Sequence, residues 1–360
     1  MLDKVKIAIK NPQRVIYRYK EKFARRLKEE SVMDESLRYF PSNGKAIRIF
    51  FVKSKYDYGD KSRGLSFEEN NFLHTLIHSG YEVFAFDPLF AMKKYGRKMM
   101  NRALKESVYR SSPDIVFFVL FKDEIEFETI AEIRDVMKIK TLNWFTDDHW
   151  RFDSFSRHYA PYFSYVVTTY KDAFQKYKGI GYENVINSQW ACNHFLFRKL
   201  DLPYKYDVSF VGQPHGDRPK VIKTLRDAGI RIETFGFGWP RGMVSTYEMI
   251  KIFNQSRINL NLSNASRGEV NQIKGRDFEI PGCAGFMITG HNEDLRDYFS
   301  LNEEIVTYID IPDLIEKVKY YFAHENERER IKEKGYVRIL REHTYTARFS
   351  KIFNLIFEKG

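Results

Sequence analysis

Cysteine, long apolar runs and metal-ligand spacings are all scarce in this sequence. Only Cys192 and Cys283 occur among 360 residues, which excludes a disulfide framework and a cysteine zinc site. The longest purely apolar run, residues 115–121, is too short to cross a bilayer, and the charged N-terminus lacks the apolar stretch of a signal peptide. His74 and His78 are four residues apart without an evident third ligand. We therefore expect a cytoplasmic protein without a metal or a cofactor.

The net charge of +11 is concentrated in a short N-terminal arm. Residues 4–28 contain ten basic residues and one acidic residue, which leaves the rest of the chain nearly neutral. Apolar residues recur at helical spacing among these cations, so residues 1–40 are predicted to form a basic amphipathic arm; they are Val15, Ile16, Tyr19, Phe23 and Leu27. The arm is either a helix packed on the body or an interfacial helix attracted to anionic lipid at the inner membrane face. No nucleic-acid partner is expected of the nearly neutral body.

The remainder of the chain alternates strand and helix patterns in two blocks. Strands are predicted at residues 46–54, 81–87, 113–121, 141–146, 165–169 and 185–190, and then at 207–212, 230–236, 257–263, 285–289 and 304–309. Ser66–Glu69 and Ser245–Glu248 are capping boxes that open helices. This order predicts an α/β protein with two Rossmann-like domains facing a central cleft.

The predicted domain boundaries follow from a loss of periodicity over residues 196–206, which contain Pro203. Residues 41–196 are predicted to form an N-terminal Rossmann-like domain, and residues 206–342 a C-terminal Rossmann-like domain. The last helix, in residues 343–360, is predicted to return to the N-terminal domain. Ligands bind beyond the carboxyl ends of strands in open α/β sheets, so the loops after strands are the places for chemistry.

The strongest motif lies in residues 271–289 (NQIKGRDFEIPGCAGFMIT). Lys274 and Arg276 lie in and just after a loop that opens a helix, where free N–H groups and cationic side chains can bind a diphosphate. Glu279 lies one helical turn later and can accept hydrogen bonds from two ribose hydroxyls. The alternative is that these three residues are solvated charges on a helix.

Two other loops of the second block are candidates for donor binding. Gly236 and Trp239 lie in a turn that can hold a nucleotide base through backbone groups and an aromatic face, or that is simply a tight turn. Gly212, Gln213 and Arg218 follow the first strand of this block, where glycine permits close approach of the backbone to phosphate.

The first block offers acceptor-side candidates. Tyr58, Gly59 and Gly64 lie in the loop after the first strand. Polar residues end the strand at 141–146 and can bind an acceptor hydroxyl or act as a general base, or form only a helix cap and a turn; they are Asp147, Asp148 and His149.

The chain resembles the CgeB-like branch of the group 1 glycosyltransferases. The resemblance rests on residues 207–212 (DVSFVG), 272–279 (QIKGRDFE), 285–286 (GF), 304–308 (EIVTY), 341–345 (REHTY) and, in the first block, 144–148 (WFTDD). It implies the GT-B fold, a nucleotide-sugar donor held by the C-terminal domain (residues 206–342), an acceptor held by the N-terminal domain (residues 41–196) and a metal-independent reaction. A glycan, a lipid-linked sugar and a protein are all compatible acceptors.

Residue by residue, the resemblance places Glu279 on the ribose and Lys274 and Arg276 at the diphosphate, with Gln272 in the same donor-binding segment. Many group 1 enzymes have a second glutamate eight residues before the ribose-binding one, where this chain has Asn271. A retaining outcome is therefore not implied.

Two alternative functions remain open from the sequence. One is a non-catalytic protein that binds nucleic acid or a membrane surface through the basic arm. The other is an NAD-dependent enzyme, although the first strand is not followed by the G-x-G-x-x-G that such enzymes carry.

Overall fold

The structure is a computed structural model that describes residues 36–39, 47–263 and 272–358. The basic segment at residues 4–28 and Asn271 lie outside these described residues. The chain divides into two compact units: unit 1 comprises residues 1–61 and 76–188, and unit 2 comprises residues 62–75 and 189–360.

Unit 1 is built on a seven-stranded sheet with the order β1-β3-β2-β4-β5-β6-β7. All neighbouring strands pair in parallel except β1, which pairs antiparallel with β3. The strands are β1 Ser36–Tyr39, β2 Arg48–Val52, β3 Glu82–Phe86, β4 Ile115–Phe118, β5 Lys140–Phe145, β6 Tyr165–Thr168 and β7 Val185–Asn187.

Helical segments connect these strands, as parallel pairing requires. The α-helices are Pro88–Tyr95, Arg97–Ser111, Phe127–Ala131, Asp148–Arg151, Arg157–Tyr159 and Lys171–Gly179, with π-helical turns at Glu132–Val136 and Phe152–Ser156 and 3₁₀ turns at Asp57–Gly59 and Ala160–Tyr162. The first of these helices begins because Asp87 accepts a hydrogen bond from the N–H of Phe90 (3.0 Å) and Pro88 occupies the first turn; it ends at Gly96, where φ is +79°.

Unit 2 is built on a five-stranded parallel sheet with the order β12-β11-β10-β8-β9. Its strands are β8 Tyr206–Val211, β9 Ile232–Phe235, β10 Ser256–Asn261, β11 Met287–Gly290 and β12 Val306–Tyr308. Its helical segments are a π-helical turn at Glu69–Leu73, α-helices Arg218–Asp227, Thr246–Gln255, Arg276–Gly282, Ile311–Ala323, Glu325–Glu342 and Tyr345–Glu358, and a 3₁₀ turn at Glu293–Asp297. A 3₁₀ turn at Lys61–Arg63 and the short helix His74–His78 each straddle a boundary between the units.

Both predicted capping boxes are confirmed by their hydrogen bonds. The N–H of Glu69 donates to Ser66 Oγ (3.1 Å), and the N–H of Glu248 donates to Ser245 Oγ (3.2 Å). Each bond satisfies a donor that the first turn of a helix leaves unpaired.

The division of the chain into units differs from the predicted domain bounds at three places. Residues 62–75, which lie within the interval predicted for the first domain, cluster with unit 2. The terminal helix Tyr345–Glu358, which was predicted to return to the N-terminal domain, also clusters with unit 2. This helix places aromatic rings four residues apart on one face, where Tyr345 and Phe349 lie 5.0 and 5.4 Å from the ring of Phe72. All residues after Ser188 belong to unit 2, so this boundary lies before the predicted linker at residues 196–206.

Candidate functional site

The strand order of unit 2 marks where a ligand site is expected. β8 is the first strand of this sheet, and the chain continues to β9 on one side and to β10 on the other. The loops after β8 and β10 therefore separate and leave a crevice at their carboxyl ends. Arg218 lies there: its guanidinium donates to the carbonyl oxygens of Gln213 (3.0 Å) and Leu262 (2.6 Å), one from each loop. Burial lowers the pKa of Arg218 to about 10, and the positive charge of Arg276 acts in the same direction.

Basic side chains from the loops after β8 and β10 converge at this crevice. Burial lowers the pKa of His215, and the nearby charges of Arg218 and Lys274 lower it further. Because Arg276 also acts on Arg218, the four residues share one electrostatic neighbourhood. Like charges held close together in a partly dehydrated crevice favour a bound anion.

A buried carboxylate beneath this crevice anchors the Lys274 loop. Asp277 is fully buried and accepts hydrogen bonds from the N–H of Lys274 (2.7 Å), from Asn261 Nδ2 (2.8 Å) and from Thr289 Oγ1 (2.7 Å). Asn261 ends β10 and Thr289 belongs to β11, so the carboxylate ties the loop to two strand ends. Burial raises the pKa of Asp277, and these hydrogen bonds oppose that shift.

The interpretation of the Lys274 loop as a cradle of free backbone N–H groups needs correction. The sequence predicts this helix over residues 273–283, but it covers only Arg276–Gly282. The N–H of Lys274 is already used by Asp277, and the N–H groups of Asp277 and Gln272 donate to the carbonyl oxygens of Lys274 (3.0 Å) and Ser263 (3.1 Å). The N–H groups of Gln272, Lys274 and Asp277 are therefore not available to an anion, and its recognition is left to the other N–H groups at the start of the helix and to the side chains. Lys274 Nζ meanwhile donates to Gln272 Oε1 (3.3 Å).

Glu279 is buried beside the crevice, with 1% of its surface exposed. Its Oε2 forms an ion pair with Arg276, one helical turn earlier, and its Oε1 accepts a hydrogen bond from Asn71 Nδ2 (3.2 Å). Asn71 belongs to residues 62–75, which explains why this segment clusters with unit 2. The expected ribose ligand is thus brought to the basic crevice, but its carboxylate is covered.

The turn after β9 packs against the loop after β8. A Cβ atom built on Gly236 would lie 2.4 Å from the carbonyl oxygen of Gly212, and φ at Gly236 is +129°, so only glycine fits. Trp239 Nε1 donates to the same oxygen (2.8 Å). Trp239 therefore fastens two loops together, and the exposed aromatic ring of this turn is Phe237, which the sequence analysis did not select.

The acceptor-side loop candidates fall in different units. Tyr58 and Gly59 lie in unit 1, where the exposed ring of Tyr58 meets the edge of Phe121 at 5.2 Å. Gly64 belongs to unit 2, and a Cβ built on it would lie 3.5 Å from Met243 Cε.

The three polar residues after β5 have different environments. Asp148 is completely buried and its Oδ2 accepts a hydrogen bond from the hydroxyl of Tyr177 (2.9 Å), which is also buried. Burial raises the pKa of Asp148. A carboxylate without solvent access cannot take a proton from an acceptor hydroxyl, so Asp148 serves the fold of unit 1. Asp147 and His149 are partly exposed and stay candidates for acceptor contact.

Four contributors to this site were missed from the sequence: Asn71, Asn261, Asp277 and Thr289. Asn261 and Thr289 carried a usable signal, because polar residues inside buried parallel strands need partners. Asp277 lies three residues after Lys274, the spacing at which a side chain can accept from a backbone N–H. Within the described ranges, no group of three or more histidine, cysteine or carboxylate side chains is arranged to hold a metal ion.

Comparison with known proteins gives a family match over part of the chain and a fold. Residues 218–354 match the profile of a family described as Glycosyl transferase-like. The Spore protein CgeB of Bacillus subtilis (strain 168) is 23% identical over 214 residues, which cover 52% of this chain and 66% of that protein, slightly under two thirds.

Solved structures match over most of the chain. The sucrose-phosphate synthase of Thermosynechococcus elongatus has a TM-score of 0.61 at 9% identity, covering 87% of this chain and 100% of its own. Anabaena HepE in complex with UDP and glucose has a TM-score of 0.59 at 10% identity, covering 86% and 99%. These likenesses confirm the expected GT-B architecture. In the part of the chain that the structure describes, no helix is long and apolar enough to span a membrane.

Proposed function

We propose that this chain is a GT-B glycosyltransferase related to the CgeB-like branch of group 1, as its family match and its fold support, and that unit 2 binds a nucleoside diphosphate sugar. Unit 1 would then hold the acceptor, which is a glycan, a lipid-linked sugar or a protein. The observation that carries this proposal is the basic crevice at the carboxyl ends of β8 and β10, formed by His215, Arg218, Lys274 and Arg276.

The basic crevice supports a diphosphate for an energetic reason. A sugar leaves its donor when the bond between its anomeric carbon and the diphosphate oxygen breaks, and negative charge then grows on that oxygen. The acceptor oxygen forms the new bond and loses its proton. Cations fixed before the reaction stabilise the developing charge without reorganising, which is often the largest catalytic contribution. Arg218 is fixed in this way by two carbonyl oxygens.

The same cations support a metal-independent reaction, which is part of the proposal. Three permanent positive charges, those of Arg218, Lys274 and Arg276, can offset the charge of a diphosphate without a divalent ion. Glu279 remains our proposed ligand of the ribose hydroxyls, since it is the buried carboxylate next to these cations. The partly exposed Asp147 and His149 remain the proposed acceptor-side polar groups.

We also propose a cytoplasmic location at the inner membrane face, mediated by residues 4–28. The support is the density of basic residues among regularly spaced apolar ones. Co-sedimentation with vesicles containing anionic lipid should be lost at high salt and in a chain without residues 1–30. Equal binding to neutral vesicles would contradict the proposal.

A thermal-shift panel tests the donor proposal directly. The ligands are UDP, GDP, CMP, dTDP and NAD, each with magnesium and with a chelator, and UDP-glucose follows because Anabaena HepE was solved with it. A ligand that binds only the folded state raises the unfolding temperature. We expect one nucleoside diphosphate to stabilise the protein without magnesium, and Lys274→Met to abolish much of that shift. Stabilisation by NAD alone, or by no nucleotide, would refute the proposal.

A further inference from the structure

Glu279 is prevented from meeting a ribose by one of its own neighbours. Both carboxylate oxygens are engaged, Oε1 with the amide of Asn71 and Oε2 with the guanidinium of Arg276. Of these two partners Asn71 is buried, whereas 28% of the Arg276 side chain is exposed. A ligand arriving from solvent therefore meets Arg276 before it meets Glu279.

The opposite approach is closed by residues 62–75. A Cβ atom built on Gly275 would lie 2.7 Å from Phe67 Cε2 and 3.7 Å from Glu279 Oε1, so the Phe67 ring and the carboxylate both lie beside Gly275. Phe67 in turn packs edge-on against Trp190 (5.0 Å) and Tyr345 (6.4 Å). Displacing Phe67 would disturb this aromatic cluster, whereas moving Arg276 would require only a change of its side-chain rotamers.

Arg276 is poorly satisfied where it is. Among the described residues its buried Nε–H has no hydrogen-bond partner, and its guanidinium lies 5.8 Å from the ring of Phe253. It is also close enough to Arg218 for the two positive charges to repel. A bound diphosphate would reverse that repulsion and offer the planar guanidinium a pair of acceptor oxygens.

We propose that Arg276 is a specificity-determining residue that exchanges partners when the donor binds. In the empty site Arg276 neutralises Glu279. When a diphosphate enters the basic crevice, Arg276 turns to it and leaves Glu279 free to accept hydrogen bonds from the ribose hydroxyls, while Asn71 keeps the carboxylate in place. This inference depends on the donor proposal above and adds a requirement to it: the ribose subsite opens only to a ligand that carries phosphate.

The exchange predicts opposite effects of one substitution on two ligands. In Arg276→Met, Glu279 loses its covering cation, and ribose hydroxyls become its best available partners. Uridine should therefore bind about fivefold more tightly than to the wild type, the equivalent of about 1 kcal/mol for a partly exposed ion pair. UDP should bind about tenfold more weakly or worse, because a charge-assisted contact to phosphate is lost.

Lys274→Met is the matched control. Lys274 belongs to the same basic loop, but its Nζ contacts Gln272 and not Glu279. It should weaken UDP binding without improving uridine binding. Isothermal titration calorimetry on the full chain would measure the affinities of UDP and uridine, and in parallel those of GDP and guanosine. The comparison would use whichever nucleoside and diphosphate share the base of the diphosphate that binds the wild type.

A measurement on the wild type guards against misfolding of Arg276→Met, which leaves Glu279 without its cation. Saturating inorganic phosphate should draw Arg276 away from Glu279 and tighten uridine binding about threefold to fivefold. This effect of phosphate on uridine binding should be absent in a folded Arg276→Met protein. It should be present in Lys274→Met once the phosphate concentration is raised to offset the weaker phosphate binding of that variant.

The outcomes are distinct. Tighter uridine binding to Arg276→Met, or phosphate-enhanced uridine binding to the wild type, supports the exchange. If diphosphates bind the wild type but uridine gains nothing from either change, Arg276 has no such role and the donor proposal stands alone. If no nucleoside diphosphate binds the wild type, both proposals fail.

Discussion

The buried carboxylate of Asp277 offers a sharp test of how the basic loop is held. It accepts from the Lys274 N–H at 2.7 Å, from Asn261 Nδ2 at 2.8 Å and from Thr289 Oγ1 at 2.7 Å, and it has no exposed surface. Asp277→Asn keeps the volume but replaces one acceptor oxygen by an NH₂ group. Whichever way the amide turns, its NH₂ group faces a hydrogen-bond donor, with which it cannot form a hydrogen bond.

The expected cost follows from the hydrogen bonds that are lost. A hydrogen bond to a charged group contributes about 1.5–3 kcal/mol, and a buried donor left unpaired costs about 1–3 kcal/mol. Since the amide can still accept at one oxygen, we expect Asp277→Asn to reduce the free energy of unfolding by about 2 kcal/mol. For a domain of 150–250 residues that corresponds to a fall in melting temperature of about 4–8 °C.

The same substitution should weaken donor binding, because the Lys274 N–H bond fixes the loop that carries Lys274 and Arg276. We expect UDP affinity to fall about threefold to tenfold, the range for a loosened charge-assisted contact. Thr289→Val is the control: it removes a donor from the same carboxylate but leaves the Lys274 bond intact. It should lower stability by about 1 kcal/mol and leave UDP affinity unchanged.

Chemical denaturation and calorimetric titration with UDP of the wild type, Asp277→Asn and Thr289→Val test both expectations. If Asp277→Asn is as stable as the wild type, the carboxyl group is protonated in the fold, and the argument from a charged acceptor is wrong. If stability falls but UDP binds equally well in both variants, the network supports the sheet and not the loop.

Three further predictions concern stability. Gly236→Ala should lower the free energy of unfolding, measured by chemical denaturation, by about 2 kcal/mol or more, because its Cβ would lie 2.4 Å from the carbonyl oxygen of Gly212. Gly242 also has a positive φ but nothing within 4 Å of its Cβ position, so Gly242→Ala should cost only about 1 kcal/mol. Burial lowers the pKa of His343 to about 4, from about 6.5 for a free histidine, so that as the pH falls the unfolded state takes up the proton first. The free energy of unfolding should therefore fall by up to about 3 kcal/mol between pH 6.5 and pH 4. His343→Gln should flatten this pH dependence. Asp148→Asn should lower stability by about 1–2 kcal/mol and Asp147→Asn by less than about 0.5 kcal/mol; equal effects would contradict the burial of Asp148.

Most strand positions in both units were accessible from the sequence because buried parallel strands are continuous apolar runs, whereas β1 was not predicted. All five predicted strands of unit 2 are present, and β8, predicted at residues 207–212, covers Tyr206–Val211. The helices Pro88–Tyr95 and Arg97–Ser111 were not predicted. The second of these is largely polar: its large apolar buried residues, Met100, Leu104 and Val108, form only a narrow stripe, and its other buried residues are small or polar.

The pairing of distant segments was inaccessible in principle. Asn71 reaches Glu279 across 208 positions of sequence, and no local pattern marks either residue as the partner of the other. The same holds for the grouping of residues 62–75 and the terminal helix with unit 2, which depends on aromatic contacts such as those of Phe72 with Tyr345 and Phe349. Periodicity describes how an element buries one face and does not say which element covers it.

Two local features show what spacing does and does not decide. Asp147, Asp148 and His149 are consecutive, so their side chains leave the chain in different directions at the start of a helix, and only the structure shows that the middle one faces the core. Arg276 and Glu279 are three residues apart, a spacing that places oppositely charged side chains of a helix side by side. Assigning one to the diphosphate and the other to the ribose treated them as independent. In the proposed exchange, filling either subsite changes the other, which is why ligands lacking phosphate, and not only altered bases, belong in the first binding experiments.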